Sequence, residues 1–208
     1  MNIGIFGGTF DPVHRGHTEV ARAAVDELQL TKMLFVPAGR PPHRRNSTGA
    51  GYEHRYRMVE LASKQDTRFV PSRFEDPSVG SGPHYSIDTF RRVKETAAAG
   101  DRLLFVLGAD AFAEIKQWYR WLEVVGMVEF IVAGRAGETD RRADVPEGAR
   151  IHWLAGVDVP ISSTELRERL KRRKPVDDWL APEVAAYIRR HGLYGNAVLP
   201  RTEIRGPE

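Results

Sequence analysis

Two histidines three residues apart, His14 and His17, close the stretch "GIFGGTFDPVHRGH" of residues 4 to 17. An imidazole can hold a metal, move a proton or donate a hydrogen bond to an anion. A spacing of three puts both rings on one side of a turn. Asp11 lies near enough in the chain to be a third metal ligand, but "DPVHRGH" lacks the i,i+4 histidine pair of a helical zinc motif. Gly7 and Gly8 let backbone approach a ligand closely, and a helix starting at the histidines would aim unpaired N–H groups at it. A metal site, a structural turn and a phosphate pocket are all open to this pattern, and phosphate fits its spacing best.

A second cluster, "ISSTELR" at residues 161 to 167, has Ser162 followed three residues later by Glu165, the capping-box arrangement of a helix start. Capping leaves Arg167 unexplained. Hydroxyls, free N–H groups and a guanidinium fork together suit a polyphosphate. The basic run "RERLKRRK" from 167 to 174 otherwise reads as a solvated helix face.

Other chemistries are closed by composition. The 208 residues include no cysteine, so there is no thiol nucleophile, disulfide framework or thiolate-held metal, and the cytoplasm is the default compartment. A net charge of +3 does not by itself imply a nucleic-acid partner. The opening "MNIGIFGGTF" is not a signal peptide, and no apolar run reaches the ~18 residues of a membrane span. With 41% apolar and 28% charged residues, a folded chain with a real core is expected.

The elements around these clusters alternate. Residues 2–6 ("NIGIF") and 32–37 ("KMLFVP") read as buried strands, and between them Val20, Ala21, Ala24, Val25 and Leu28 form one helical stripe. That is a βαβ unit, which implies a parallel sheet. A loop from 38 to 51 precedes a helix through Tyr56, Val59 and Ala62 or Ser63. Strands follow at 102–107, 129–134 and 150–155, with helical segments near 85–98 and 111–125. A last helix, "APEVAAYIRRHG", has Pro182 in its first turn and Gly192 as its stop. The expected fold is α/β: a doubly wound, Rossmann-like parallel sheet flanked by helices, with a small helical C-terminal portion at about 162–195. Residues 1–195 are read as a single domain and 196–208 as a mobile tail.

"GGTFDPVHRGH" resembles the GGTFDPxHxGH signature of bacterial nicotinate mononucleotide adenylyltransferases, and "ISSTELR" resembles their second signature, ISSTxxR. Between them "PPHRR" (41–45) is similar to the family's PPHK element, "HRYRM" (54–58) to its following helix, "HYSIDT" (84–89) to its substrate loop and "LGAD" (107–110) to its LGxD strand end. The resemblance runs in order from about residue 2 to 194. It implies transfer of AMP from ATP to nicotinate mononucleotide, with Mg2+ on the ATP phosphates. His14, His17, Arg44 and Arg167 are then the catalytic residues. The resemblance assigns ATP binding to the same two histidines and Arg167 with Gly7, Gly8, Thr9, Phe10, Gly108, Asp110, Ile161, Ser162 and Ser163. It assigns the acceptor to Arg44, Tyr85, Ser86, Thr89, Trp118 and Tyr119, with Trp118 and Tyr119 as the platform for the pyridine ring and the Tyr119 backbone and Ser86 near its carboxylate. Arg44 and Ser86 stand where the family has lysine and threonine, and "GRAGET" (134–139) lacks the proline of its RPG turn, so no contact is assigned to Arg135. No nucleic acid or membrane is expected as a partner, and self-association is left open. The rival readings are a phosphopantetheine adenylyltransferase, which shares the HxGH loop, and a nucleotide-binding module without activity.

Overall fold

The structure is a computed structural model that describes residues 1–40, 49–79, 82–134, 145–154, 156–157 and 161–195. Its centre is a six-stranded sheet of β1 (Asn2–Gly8), β2 (Lys32–Pro37), β3 (Phe69–Pro71), β4 (Arg102–Gly108), β5 (Glu129–Ala133) and β6 (Ile151–Leu154). The strand order is β3-β2-β1-β4-β5-β6 and every pairing is parallel. This is the doubly wound order, with its switch point between β1 and β4.

Period-two alternation sorts the strand residues between two apolar layers. Met33 and Phe35, Leu104 and Val106, and Ile131 face α1 (Arg15–Glu27) and α2 (Tyr52–Ser63). Ile3 and Ile5, Leu34 and Val36, Leu103 and Phe105, and Phe130 face α3 (Ser86–Thr96), α4 (Ala109–Ala113) and α5 (Trp121–Met127). Each such side chain contributes about 1.5–3 kcal/mol when fully buried. Gly4 gives this packing room, since a Cβ there would lie 2.8 Å from the ends of the Leu30 and Met33 side chains. The helices α6 (Ser163–Lys171) and α7 (Pro182–Arg190) add Leu166, Leu170, Val184 and Ile188 to the first layer, so the C-terminal portion shares a core with α1 and α2.

Two elements differ from the sequence reading. β3 escapes it because three residues hold too little alternation to register. The segment expected to be helical from 111 to 125 is broken: α4 gives way to a 3-10 turn at Ile115–Gln117, Trp118 is extended, and Arg120 adopts left-handed φ and ψ of 57° and 39° before α5 begins. Phe112, Ile115, Val124 and Val125 are all buried, so their spacing imitates one long helix although two short pieces supply them.

Candidate active site

β1 and β4 lie side by side and end at Gly8 and Gly108, after which the chain leaves toward opposite faces of the sheet. Ligands in such sheets bind in the crevice this divergence opens. Three adjoining cavities fill it. One of about 410 Å3 is bounded by His14, His17, Gly108, Ile161, Ser162 and Ser163. A polar one of about 270 Å3 is bounded by Thr9, Asp11, His17, Ser163, Thr164 and Arg167. The largest, about 680 Å3, runs past Gly7 and Gly8 to Glu75, Ser86, Trp118 and Tyr119. His17 borders the first two, and Phe6, Leu107 and Gly108 border the first and third.

His14 is the N-cap of α1, in extended conformation. Its backbone N–H donates to Nδ1 of His17 at 3.2 Å, which is one half of a capping box. Because that Nδ1 accepts, the ring proton of neutral His17 sits on Nε2, and the imidazole is a fixed donor. The two rings lie 3.7 Å apart, and Phe10 meets His17 edge-on at 5.0 Å. Burial lowers His14 to about 4 and pushes His17 well below the ordinary histidine range, with His14 adding to the latter effect. Both are therefore neutral N–H donors near pH 7. Nδ1 of His14 is buried with no hydrogen-bond partner among the described residues. The turn reading and the phosphate reading are compatible here, since the nitrogen that caps the helix leaves the other free for a ligand.

The second motif closes over the first. Ser162 caps α6 by accepting the Glu165 N–H at 3.1 Å. Ser163 Oγ donates to the Pro12 carbonyl at 3.3 Å, and Arg167 donates to the Asp11 carbonyl at 2.8 Å and to Thr164 Oγ1 at 3.2 Å. Thr164, the threonine of the second motif, joins Ser163 and Arg167 around the polar cavity. Phe10 is 1% exposed, so toward a nucleotide its side chain acts by seating His17.

Arg55 and Tyr194 build this corner without having been singled out, and Asp11 has a part in it other than the metal ligand considered above. Arg55, 2% exposed on α2, donates to the carbonyls of Thr9 at 2.7 Å, Ala38 at 2.8 Å and Ala50 at 3.2 Å. Asp11 accepts from the N–H groups of Gly49 and Ala50 at 2.5 and 3.0 Å and from Tyr194 Oη at 2.7 Å. The signal for Arg55 was present, because it shares the buried stripe of α2 with Val59 and Ala62, where an arginine must find acceptors. Asp11 spends both carboxylate oxygens on these donors, which argues against the metal reading. Among the described residues no group of three histidines or acids is arranged to hold a metal.

In the largest cavity Ser86 opens α3 with Tyr85 as its N-cap, and helix geometry leaves the Ser86 N–H without an intrahelical acceptor. The break before α5 turns Trp118 and Tyr119 to the same space, where Tyr119 packs on Tyr85 at 4.5 Å between ring centres. Gly7 and Gly8, expected beside ATP, border this cavity. A Cβ on Gly8 would crowd the Phe10 ring at 3.0 Å, so the second glycine also protects the seat of His17. Thr89 is nearly buried and donates its hydroxyl to Glu75 at 2.7 Å, so it holds a carboxyl group that the sequence reading did not name. Asp110 is exposed in the first turn of α4. His43, Arg44 and Arg135, like the tail 196–208, lie outside the described residues.

A doubly wound sheet with HxGH at the first strand end and ISSTxxR facing it defines a nucleotidyltransferase of the T/HxGH class. Residues 5–169 match the cytidylyltransferase-like family. A probable nicotinate-nucleotide adenylyltransferase of Solibacter usitatus is 44% identical over 194 residues, covering 93% of this chain and all of that one. One from Thermus thermophilus is 39% identical over the same share of this chain and all of its own length. Among solved structures, the nicotinic acid mononucleotide adenylyltransferase of Plasmodium falciparum complexed with NaAD shares the fold, with a TM-score of 0.75, 20% identity and coverage of 94% and 98% of the two chains. The chain belongs to the nicotinate-nucleotide adenylyltransferase family and is an enzyme of the nucleotidyltransferase class. No described helix is long and apolar enough to cross a membrane.

Proposed function

We propose that the protein transfers AMP from ATP to the 5′-phosphate of nicotinate mononucleotide, forming deamido-NAD and pyrophosphate. The observation that carries this reading is the arrangement of the three cavities around the first two strand ends. Adenosine takes the 410 Å3 cavity, the triphosphate turns past His17 into the polar one, and the pyridine nucleotide lies in the aromatic one.

An oxygen of the acceptor phosphate attacks the α-phosphorus in line; that P–O bond forms as the bond to the β-phosphate bridge breaks, and pyrophosphate leaves. The attacking phosphate is ionised near neutral pH, so no general base is required. The work lies in aligning two polyanions and spreading the charge that builds on the leaving group. His14 and His17 donate N–H groups to α- and β-phosphate oxygens, Arg167 and the first turn of α6 hold the β and γ groups, and Arg44 adds charge from the 41–48 segment. Mg2+ bound with ATP would supply further charge neutralisation to the leaving pyrophosphate, and Asp11, saturated by its own donors, would not be the residue that holds it. At the other end the ring stacks on Trp118, and its carboxylate meets the N–H groups of Ser86 and Tyr119, favoured by the N-terminus of α3.

Incubation of the purified chain with ATP, Mg2+ and one acceptor at a time, followed by pyrophosphate release, tests the assignment. Nicotinate mononucleotide is expected to give the fastest turnover and nicotinamide mononucleotide a slower one. Pyrophosphate with phosphopantetheine alone, or ATP binding without turnover on any acceptor, overturns it.

A further inference from the structure

The acceptor cavity holds one enclosed acid. Its walls are mainly Ile5, Val36, Phe90, Phe105 and Trp118, and of the two carboxylates that border it Glu114 is exposed, whereas Glu75 is largely enclosed. The Glu75 carboxyl is also fixed. Thr89 Oγ1 from α3 donates to Oε1 at 2.7 Å, and the N–H of Gly39, just beyond β2, donates as well. The backbones are so close that a Cβ on Gly39 would fall 1.8 Å from the Glu75 carbonyl oxygen. Two cations reach the carboxyl by their field, yet Arg55 places its donors on the carbonyls of Thr9, Ala38 and Ala50, and Arg92 donates to the Phe74 carbonyl. Glu75 is thus an anchored, half-buried acid whose charge is left for something that enters the cavity.

The ring nitrogen of a nicotinate mononucleotide is bonded to ribose and carries a permanent positive charge. Such a cation, moved from water into an apolar enclosure, needs a counter-charge. Stacking on the Trp118 face supplies part of it. We propose that Glu75 supplies the rest, so that it selects acceptors with a charged pyridinium ring over uncharged rings of the same shape; this rests on the acceptor assigned above. In the free protein burial raises the carboxyl above the ordinary glutamate range, and an entering cation reverses that cost.

Glu75→Gln keeps the shape and the acceptor for Thr89 but removes the charge. With full-length protein and saturating ATP and Mg2+, KM for nicotinate mononucleotide should rise about tenfold, with kcat and KM for ATP near wild type. The 1,4-dihydro form of the same mononucleotide, whose ring is uncharged, should show a change of less than about twofold, because the interaction removed is specific to the charge. Glu75→Asp should restore part of the preference for the charged ring, and Thr89→Val, which frees the carboxyl, should lose a smaller part of it. An equal rise in KM for both ring forms, or no rise for either, overturns the role of Glu75. Failure of wild-type protein to use nicotinate mononucleotide at all overturns instead the acceptor assignment, and this inference with it.

Discussion

The two ends of the sheet treat buried titratable groups in opposite ways. At the amino end, Glu129 of β5 is 4% exposed and surrounded by basic side chains: Arg102 at 2.6 Å, His152 at 2.8 Å and Arg150 at 3.7 Å. Bonding to Arg102, with His152 behind it, holds its carboxyl down at about 2 despite burial. At the carboxyl end, burial prevails: His14 falls to about 4, Glu75 rises, and Nδ1 of His14 has no partner among the described residues. One end satisfies its charges internally and gains stability. The other leaves groups uncompensated at a cost that a phosphate or a pyridinium would remove on binding.

The contrast breaks most visibly at His17. His17→Ala should lose about 3–4 kcal/mol of transition-state stabilisation, a fall of roughly 10²–10³ in kcat, as when an oxyanion-hole donor is deleted, with KM for nicotinate mononucleotide little changed. Steady-state kinetics checks this, and near-normal turnover would remove His17 from the phosphates. Its counterpart is Glu129→Gln, which should leave kcat per folded molecule intact while costing about 2 kcal/mol of stability, the low side for a buried pair because Arg102 is half-exposed. Chemical denaturation reads that loss.

Acid separates the two ends more finely. Glu129 has a folded pKa below its ordinary value of 4.5, so its contribution is complete above 4.5 and is lost as pH falls toward 2. His14 is also depressed, from 6.5 to about 4, so its neutral, buried form contributes fully above 6.5 and loses ground as pH falls toward 4. Stability measured against pH should therefore flatten between 6.5 and 4 in His14→Gln and below 4.5 in Glu129→Gln. Identical profiles would dissolve the distinction. The smallest effect is expected from Tyr194→Phe, which removes one of three donors to Asp11 and should cost about 1 kcal/mol, or roughly 2–4 °C in Tm for a chain of this size.

What could be read from the chain divides by the range of the interaction. His14 and His17, and Ser162 with Arg167, sit within a few residues of each other, so spacing alone exposes their common face. The strand and helix pattern was legible where runs were long, as in β1, β2 and β4, and failed where a three-residue strand or a left-handed Arg120 left no periodic trace. Glu75 and Arg55 take their roles from partners as far as 14 and 46 residues away, Thr89 and Thr9, which the fold brings near. Asp11 was legible as a residue with chemistry, but its two carboxylate oxygens are claimed by donors 38, 39 and 183 residues along the chain.

The bonds that close the phosphate corner also carry a consequence for synthesis. Ser163 reaches Pro12 across 151 residues, Arg167 reaches Asp11 across 156, and Tyr194 reaches the same aspartate across 183. The ribosome therefore releases the histidine loop well before the residues that clasp it. A fragment that stops short of α6 lacks Ser163, Arg167 and Tyr194, so the histidine loop of such a fragment is left without the bonds that close this corner.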